Sequence, residues 1–462
     1  MRWWTPGAVK ARFDKALAGP WANAKDRDVD LEAAQRSSSG VTPVDTPEVT
    51  PDDFHPVKGV GFVSPRLIPH EIDKDVDLDS DTAAVRATNT LLREALVSRA
   101  SDIHLEEDAG GLRLRYRIDG ILRDRDPIPS ELRSALLARL RVMAGLNLAE
   151  HRVPQDGRMR VRFQGAPIDM RVSTVPLLNG ESVVVRVLDP TRAIIDIDHL
   201  GFAPDALETL LGAMSRPNGM ILTTGPGGAG KSTTLHAIAR RLSTGREKVL
   251  TVEDPVEAEI PDMCQVQVNE RAGLTFPVIL RSLVRQDPDV LLVGEIRDEE
   301  TAEIATHTAL TGHLVLSTLH TIDAVSALPR MLNLGVPDYL VTTTIEAVIG
   351  QRLVRKVCEE CAEEVEYGEG ELGALGPDAQ KLASGHRGVG CDACEQTGYR
   401  GRIGLYEVLR LSEPLREAFL RRVGIRQLRT VAAEEGMRTV REDGVEKIRA
   451  GVTTPEEVLR VT

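Results

Sequence analysis

The chain of 462 residues is longer than one hydrophobic core usually supports, so about three folded units are expected. Its formal net charge of -13 opposes sequence-independent binding to a phosphate backbone, which argues against a nucleic-acid motor. No stretch approaches the roughly 20 apolar residues that span a bilayer, and the start MRWWTPGAVK lacks the apolar core of a signal peptide, so a cytoplasmic protein is expected.

All three tryptophans, Trp3, Trp4 and Trp21, fall near the N-terminus, where Val9, Phe13, Ala16 and Leu17 sit at helical spacing. This short amphipathic segment would either dock on a membrane-bound partner or membrane surface, or pack on its own protein. From about Gly19 to Asp81 the composition is Pro-, Ser-, Asp- and Glu-rich without a sustained period, which reads as a tether. Val85, Leu92 and Leu96 then mark one face of a helix that Asp81 can cap.

Leu112, Leu114, Tyr116 and Ile118 alternate with Arg113, Arg115, Arg117 and Asp119, predicting a strand with an apolar and a charged face. Gly110-Gly111 and Asp119-Gly120 supply hairpin turns. A helix is predicted near Glu131 to Leu146, followed by strands through Met159, Val161, Phe163 and through Ile168, Met170, Val172. These elements define an α+β unit ending near Asp189. Beyond it, the short apolar strands MILTTG, KVLTVE, DVLLVGE and HLVLSTL alternate with helical stretches, the pattern of a parallel α/β sheet.

Gly225-Pro226-Gly227-Gly228-Ala229-Gly230-Lys231-Ser232 follows the first of these strands and opens a helix at Thr233. Glycines let successive N–H groups curl around a β-phosphate at a helix N-terminus, Lys231 can reach the β- and γ-phosphates, and the Ser232 hydroxyl can ligate Mg²⁺. Glu295 ends DVLLVGE, where an acid holding that metal is expected, and Glu253 ends KVLTVE, where it can orient or deprotonate the attacking water. Either carboxylate alone reads as a solvated strand end; both together behind such a loop read as catalytic. His320, at the carboxyl end of HLVLSTL, is placed for a γ-phosphate or its water, whereas His313 divides evenly between a nucleotide and a structural role.

The cysteine pairs Cys358/Cys361 and Cys391/Cys394 each have CxxC spacing, which sets two thiolates on one side of a tetrahedral Zn²⁺. The competing reading is a redox dithiol, but neither pair opens a helix after a strand. The polar, Gly-rich stretch between them suggests a metal standing in for a missing core. Cys264, left over, is expected to be a small buried residue.

In order, GPGGAGKSTTLH, TVEDPVE, LRSLVRQDPDVLLVGEIRD and TGHLVLSTLHT strongly resemble the type II secretion and type IV pilus assembly ATPases. The resemblance runs back through ASDIH, RIDG, PQDGR and RVSTVP and forward through QRLVRKVCEEC, GCDACEQTGYRGRIGLYE and EEGMRTVREDG, covering roughly Thr82 to the C-terminus. It implies an α/β protein in which a PAS-like α+β domain precedes a RecA-like ATPase core, with a zinc lobe and helical C-terminus, assembled as a homo-hexamer that binds ATP and Mg²⁺ between the first two. The implied segments are a flexible 1–80, then 81–195, 196–355, 356–405 and 406–462. The family's Asp box falls on Glu253 to Glu257, its His box on His313 and His320, and its phosphate-reaching arginines on Arg171, Arg186, Arg281 and Arg285. Arg113, Arg115, Arg160 and Arg162 match nothing so specific and read as solvated strand faces.

The implied work is driving pilin or pseudopilin assembly from the inner membrane, to which platform and recruitment proteins would hold the ring. A retraction motor, an idle nucleotide-binding scaffold and a DNA-translocating motor are the alternatives. Two departures stand out. The chain has only the tryptophan segment and tether where the family often carries a folded N-terminal docking domain, and Gly227 and Ala229 replace the common Thr and Ser.

Overall fold

The strand alternation around Tyr116 becomes one element of an antiparallel sheet in the computed structural model, which describes residues 70–72, 83–108, 111–189, 195–382 and 384–462. These residues lie in the unit Leu67–Thr462. The tryptophan segment and the Asp81 cap fall outside them, and so does the tether except at residues 70–72, where the flexible reading is corrected: His70–Glu71 form a short strand beside Val161 and Arg162, and Ile72 is buried in the first core.

The first elements are β1 (His70–Glu71), α1 (Ala83–Val97), β2 (Asp102–Asp108), β3 (Gly111–Ile118), β4 (Ile121–Asp124), α2 (Ser130–Met143), β5 (Gln155–Phe163), β6 (Ala166–Leu177) and β7 (Gly180–Leu188). Among the described residues they form a seven-stranded sheet in the order β1-β5-β6-β7-β2-β3-β4, antiparallel except where β1 runs beside β5. Leu92 and Leu96 of α1 and Leu136 and Leu140 of α2 pack on Ile103, Met159, Met170 and Val185, so one face is the core. Tyr116 is buried there and its hydroxyl donates to the Leu91 carbonyl at 2.8 Å, which satisfies the polar tip of a large apolar side chain. The period of 2 sends the intervening arginines to the opposite face.

Next come α3 (Pro204–Met214), β8 (Gly219–Thr224), α4 (Lys231–Leu242), β9 (Val249–Glu253), β10 (Met263–Gln267), α5 (Phe276–Leu283), β11 (Val290–Val293), α6 (Glu299–Leu310), β12 (Leu314–Leu319), α7 (Ala327–Asn333), α8 (Asp338–Thr344) and β13 (Ile345–Val357). The chain continues with β14 (Ala362–Glu366), α9 (Glu369–Gly373), β15 (Ser384–Gly388), β16 (Tyr399–Arg410), α10 (Glu413–Leu420), α11 (Ile425–Glu434), α12 (Val440–Arg449) and α13 (Pro455–Val461). The second sheet has the order β10-β9-β11-β12-β8-β13-β16 and is parallel through β13, with β16 antiparallel at the edge. Its two faces carry separate cores, one with Leu207, Leu210, Leu235 and Ile238 of α3 and α4, the other with Leu280, Ala305, Leu328 and Leu340 of α5 to α8. Burial on both faces explains why β8, β11 and β12 are buried along their whole lengths and are mostly apolar.

Three further expectations are corrected. Cys264 is exposed rather than buried, because β10 is an edge strand. The stretch between the cysteine pairs does contribute to a core: Tyr367, Leu372, Leu375 and Leu382 pack with Val445, Ile448 and Val458 of α12 and α13. Those partners come from far along the chain, so the stretch looks coreless when read alone. Finally, β16 runs across the expected boundary at residue 405 and belongs to the main sheet.

The two sheets meet through polar contacts. Asp119, at the β3–β4 turn, accepts from the Gly401 N–H at 2.9 Å, and Arg125 donates to Glu395 at 2.8 Å. Leu92→Ala should remove buried contacts between α1 and the first sheet and cost about 2–5 kcal/mol, read as a lower urea midpoint of the transition that exposes Tyr116.

Candidate functional site

At the carboxyl end of β8 the backbone turns through Gly225, Gly228 and Gly230, with φ of +146°, +75° and +87°, and enters α4 at Lys231. A Cβ on Gly225 would stand 2.5 Å from the Gln351 carbonyl oxygen of β13, so this position requires glycine for space as well as for φ. Lys231 folds back into the loop, donating to the carbonyls of Gly225 at 2.9 Å and Pro226 at 3.0 Å. Burial pulls its pKa below the ordinary lysine value, the charge of Glu295 opposes that shift, and Arg352 reinforces it. Ser232 and Thr233 are half-buried on the first turn of α4.

Strand order decides what faces this loop. β12 lies between β8 and β11, so Glu295 stands two strands from the loop strand, about 10 Å away at the usual strand spacing. His320, at the end of the intervening strand, fills the gap: its Nε2 is 3.4 Å from Glu295 Oε2, and Arg297 pairs with the other carboxylate oxygen. The next residue, Thr321, ties this edge to the loop strand, its N–H donating to Thr224 Oγ1 at 2.8 Å. His313 precedes β12 and lies at the opposite edge, roughly 23 Å along the strand, with its Nδ1 3.2 Å from the Thr308 carbonyl.

Glu253 is 4% exposed and its carboxylate is turned onto α4. His236 Nε2 lies 2.8 Å from Oε2, while Thr251 Oγ1 and Gln265 Nε2 donate to Oε1 at 2.6 and 3.1 Å. Burial pushes its pKa up, but the hydrogen bond and charge of His236, with the Thr251 and Gln265 donors, outweigh burial and hold it below the ordinary value. His236 was not singled out in the sequence. Its only signal there is a polar ring within the apolar run LHAIA, and the contact with Glu253 depends on the α4 crossover that joins β8 to β9.

Arg171 and Arg186 lie on the polar face of the first sheet and line a cleft of about 550 Å³ with Asp156, Arg158, Ser173 and Arg271. Burial lowers the pKa of Arg171, and the positive charges of Arg158 and Arg186 add to this, while Asp254, the residue after Glu253, opposes it. The cleft therefore borders the same sheet edge. Arg281 and Arg285 are not drawn to the loop; both are exposed, Arg281 paired with Glu300 of α6 and Arg285 donating to the Arg281 carbonyl at 2.5 Å. Arg113, Arg115 and Arg160 pair with Asp124, Glu106 and Asp169, as expected of a solvated strand face. Arg352 and Gln351, also not anticipated, support the loop from β13: Gln351 Oε1 accepts from Thr234 at 2.8 Å, and Arg352 Nη1 would stand 3.1 Å from a Cβ on Gly225.

The four paired cysteines converge at the neck of the β13–β16 hairpin, where Val357 faces Tyr399 and the Cys358 N–H donates to the Gly398 carbonyl at 2.9 Å. Their sulfurs all lie within 4.8 Å of one another, and the Cys358–Cys391, Cys361–Cys394 and Cys391–Cys394 separations are each 3.8 Å. A tetrahedral metal with bonds of about 2.3 Å requires sulfurs about 3.8 Å apart, so the donor set fits zinc. Burial raises the Cys394 thiol, but the N–H groups of Cys391 and Gly398, each 3.2 Å from the sulfur, more than offset it and bring its pKa to about 6.

A mainly parallel α/β sheet whose carboxyl edge carries a glycine-rich loop, a lysine and flanking carboxylates is an architecture for handling phosphate esters. The family model described as "Type II/IV secretion system protein" matches residues 77–460, and the chain belongs to that family. It is 45% identical over 391 residues, 84% of this chain and 68% of the relative, to "Type II secretion system protein E" of Xanthomonas campestris pv. campestris. It is 43% identical over 394 residues to "Type IV pilus assembly ATPase PilB" of Thermus thermophilus, covering 85% of this chain and 44% of that relative. Among solved structures it is similar in fold to the Legionella pneumophila ATPase DotB, with a TM-score of 0.61 at 20% identity over 85% of this chain and 98% of that one. No helix among the described residues is long and apolar enough to cross a membrane.

Removal of metal by a chelator, or Cys394→Ser, should free the hairpin neck while the shared core with α12 and α13 persists. Hydrogen exchange should rise at least tenfold between Cys358 and Gly398 and stay unchanged in β5 to β7. Unchanged exchange at the neck would contradict a structural metal.

Proposed function

We propose that this chain is a Mg-ATP-hydrolysing motor that drives pseudopilin or pilin assembly in type II secretion or type IV pilus biogenesis. In this reading it works as a homo-hexamer in the cytoplasm, held at the inner membrane by platform and recruitment proteins. The first sheet would be the PAS-like domain and the second the RecA-like core. The observation that carries the reading is Lys231, folded into its glycine loop with Glu295 close enough to oppose the burial shift of its ammonium. Family membership and the names of the relatives supply the machine.

In this reading each residue takes a distinct role. Loop N–H groups from Gly225 to Ser232 and the Lys231 ammonium would bind the β- and γ-phosphates. Ser232 and Glu295 would hold Mg²⁺, which would neutralise phosphate charge. His320, beside Glu295, would meet the γ-phosphate or its water. Glu253, kept ionised by His236, Thr251 and Gln265, would turn from those partners to orient or deprotonate that water. Arg171 and Arg186 would approach from the first sheet, and Arg281 and Arg285, exposed here, are available to a neighbouring subunit. Zn²⁺ at the four cysteines would be structural.

Glu253→Gln should lower hydrolysis by about a hundredfold or more and leave ATP bound after gel filtration; rapid turnover by this variant would remove Glu253 from the chemistry. The machine itself is tested by placing Lys231→Ala in the native host and scoring surface pili and exported enzymes together. Trapped enzymes with intact pili mark a secretion motor, lost pili with normal export mark a pilus extension motor, and no change in either contradicts the proposed function.

A further inference from the structure

Strand register stacks charge on the polar face of the first sheet in an unusual way. Arg158 of β5 lies directly opposite Arg171 of β6, and Arg171 directly opposite Arg186 of β7. Directly opposed residues share a face with their side chains close together, and like charges in that position are destabilising. Elsewhere the same face avoids this. Arg160, two residues along β5 from Arg158, faces Asp169 and pairs with it at 2.5 Å, and Arg115 is 2.6 Å from Glu106.

Only Arg186 in the row has a carboxylate partner, Asp102 at 3.0 Å, which Arg117 also shares at 3.7 Å. Among the described residues Arg158 and Arg171 have no ion pair, and Arg271, in the 3-10 turn Glu270–Ala272 that follows β10, brings a fourth guanidinium to the cleft. Asp156, on the same lining, is the one carboxylate against them. The cleft, about 550 Å³, is of small-molecule size and borders Asp254 at the sheet edge that carries Glu253. A row of opposed cations short of counter-charge in a concave site is a local fault in a fold that an anionic ligand repairs.

We infer that Arg158 and Arg271 bind phosphate, forming with Arg171 and Arg186 a four-guanidinium clamp for the polyphosphate of a nucleoside triphosphate. This rests on the ATPase reading above and adds two residues to it. Planar guanidinium groups suit such oxygens, and placing them on the first sheet and on the turn that follows β10 makes the bound polyphosphate a bridge between the two units of structure.

The clamp and a merely structural role differ in the sign of their effects. Arg158→Met and Arg271→Met, singly and together, are compared with Arg160→Met by thermal melting of the full chain with and without Mg-ATPγS, and by ATP turnover. For the clamp, the nucleotide-free melting temperature of Arg158→Met stays equal to wild type or rises, because a like-charge contact is relieved. Its affinity for ATPγS falls roughly tenfold per guanidinium removed, and turnover falls with it. Arg160→Met, which breaks an ion pair, keeps its ATPγS response. Wild-type ATPγS affinity and turnover in the double variant, beside an inactive Lys231→Ala, would overturn the clamp and leave the ATPase reading standing. Full turnover by Lys231→Ala would overturn both.

Discussion

A parallel sheet buried on both faces can expose functional groups only at the ends of its strands, and the candidate site depends on that constraint. The strands β8, β9, β11 and β12 are buried along their lengths because helices cover both sides, and the charged groups gather where each one ends. Gly225, Glu253, Glu295 and His320 are the first residues free of that packing or the last ones within it. The order β9-β11-β12-β8 then ranks them along the edge, with His320 between the loop and Glu295, and Glu253 beyond.

Charge at this edge is held by short-range partners. Burying Lys231 or Glu253 without one would cost several kcal/mol. Lys231 uses two loop carbonyls. Glu253 uses His236, Thr251 and Gln265, so it remains a carboxylate although almost no water reaches it. The first sheet contrasts with this, since its Arg158–Arg171–Arg186 row is left short of counter-charge.

The loop and core strands were legible because their signals are local: glycines before a lysine at a helix start, and apolar runs of strand length. The inward face of β3 was legible from alternation alone, and the cysteine cluster from spacing. Contacts that join distant segments were hidden. Arg158 reads as one of many strand arginines until register sets it opposite Arg171. His236 acquires meaning only when α4 packs beside β9. Tyr367 and Leu372 look stranded until α12 and α13 arrive, and Cys264 looks apolar until β10 proves to be an edge.

The central claim, that the loop from Gly225 to Ser232 is a nucleotide cradle closed by Lys231, is tested most directly by equilibrium titration of the full chain with fluorescent ATP in Mg²⁺. The account predicts saturable binding to wild type and affinity at least tenfold weaker in Lys231→Ala, since a charge-assisted contact to phosphate is lost. Equal affinity in the two proteins would contradict it.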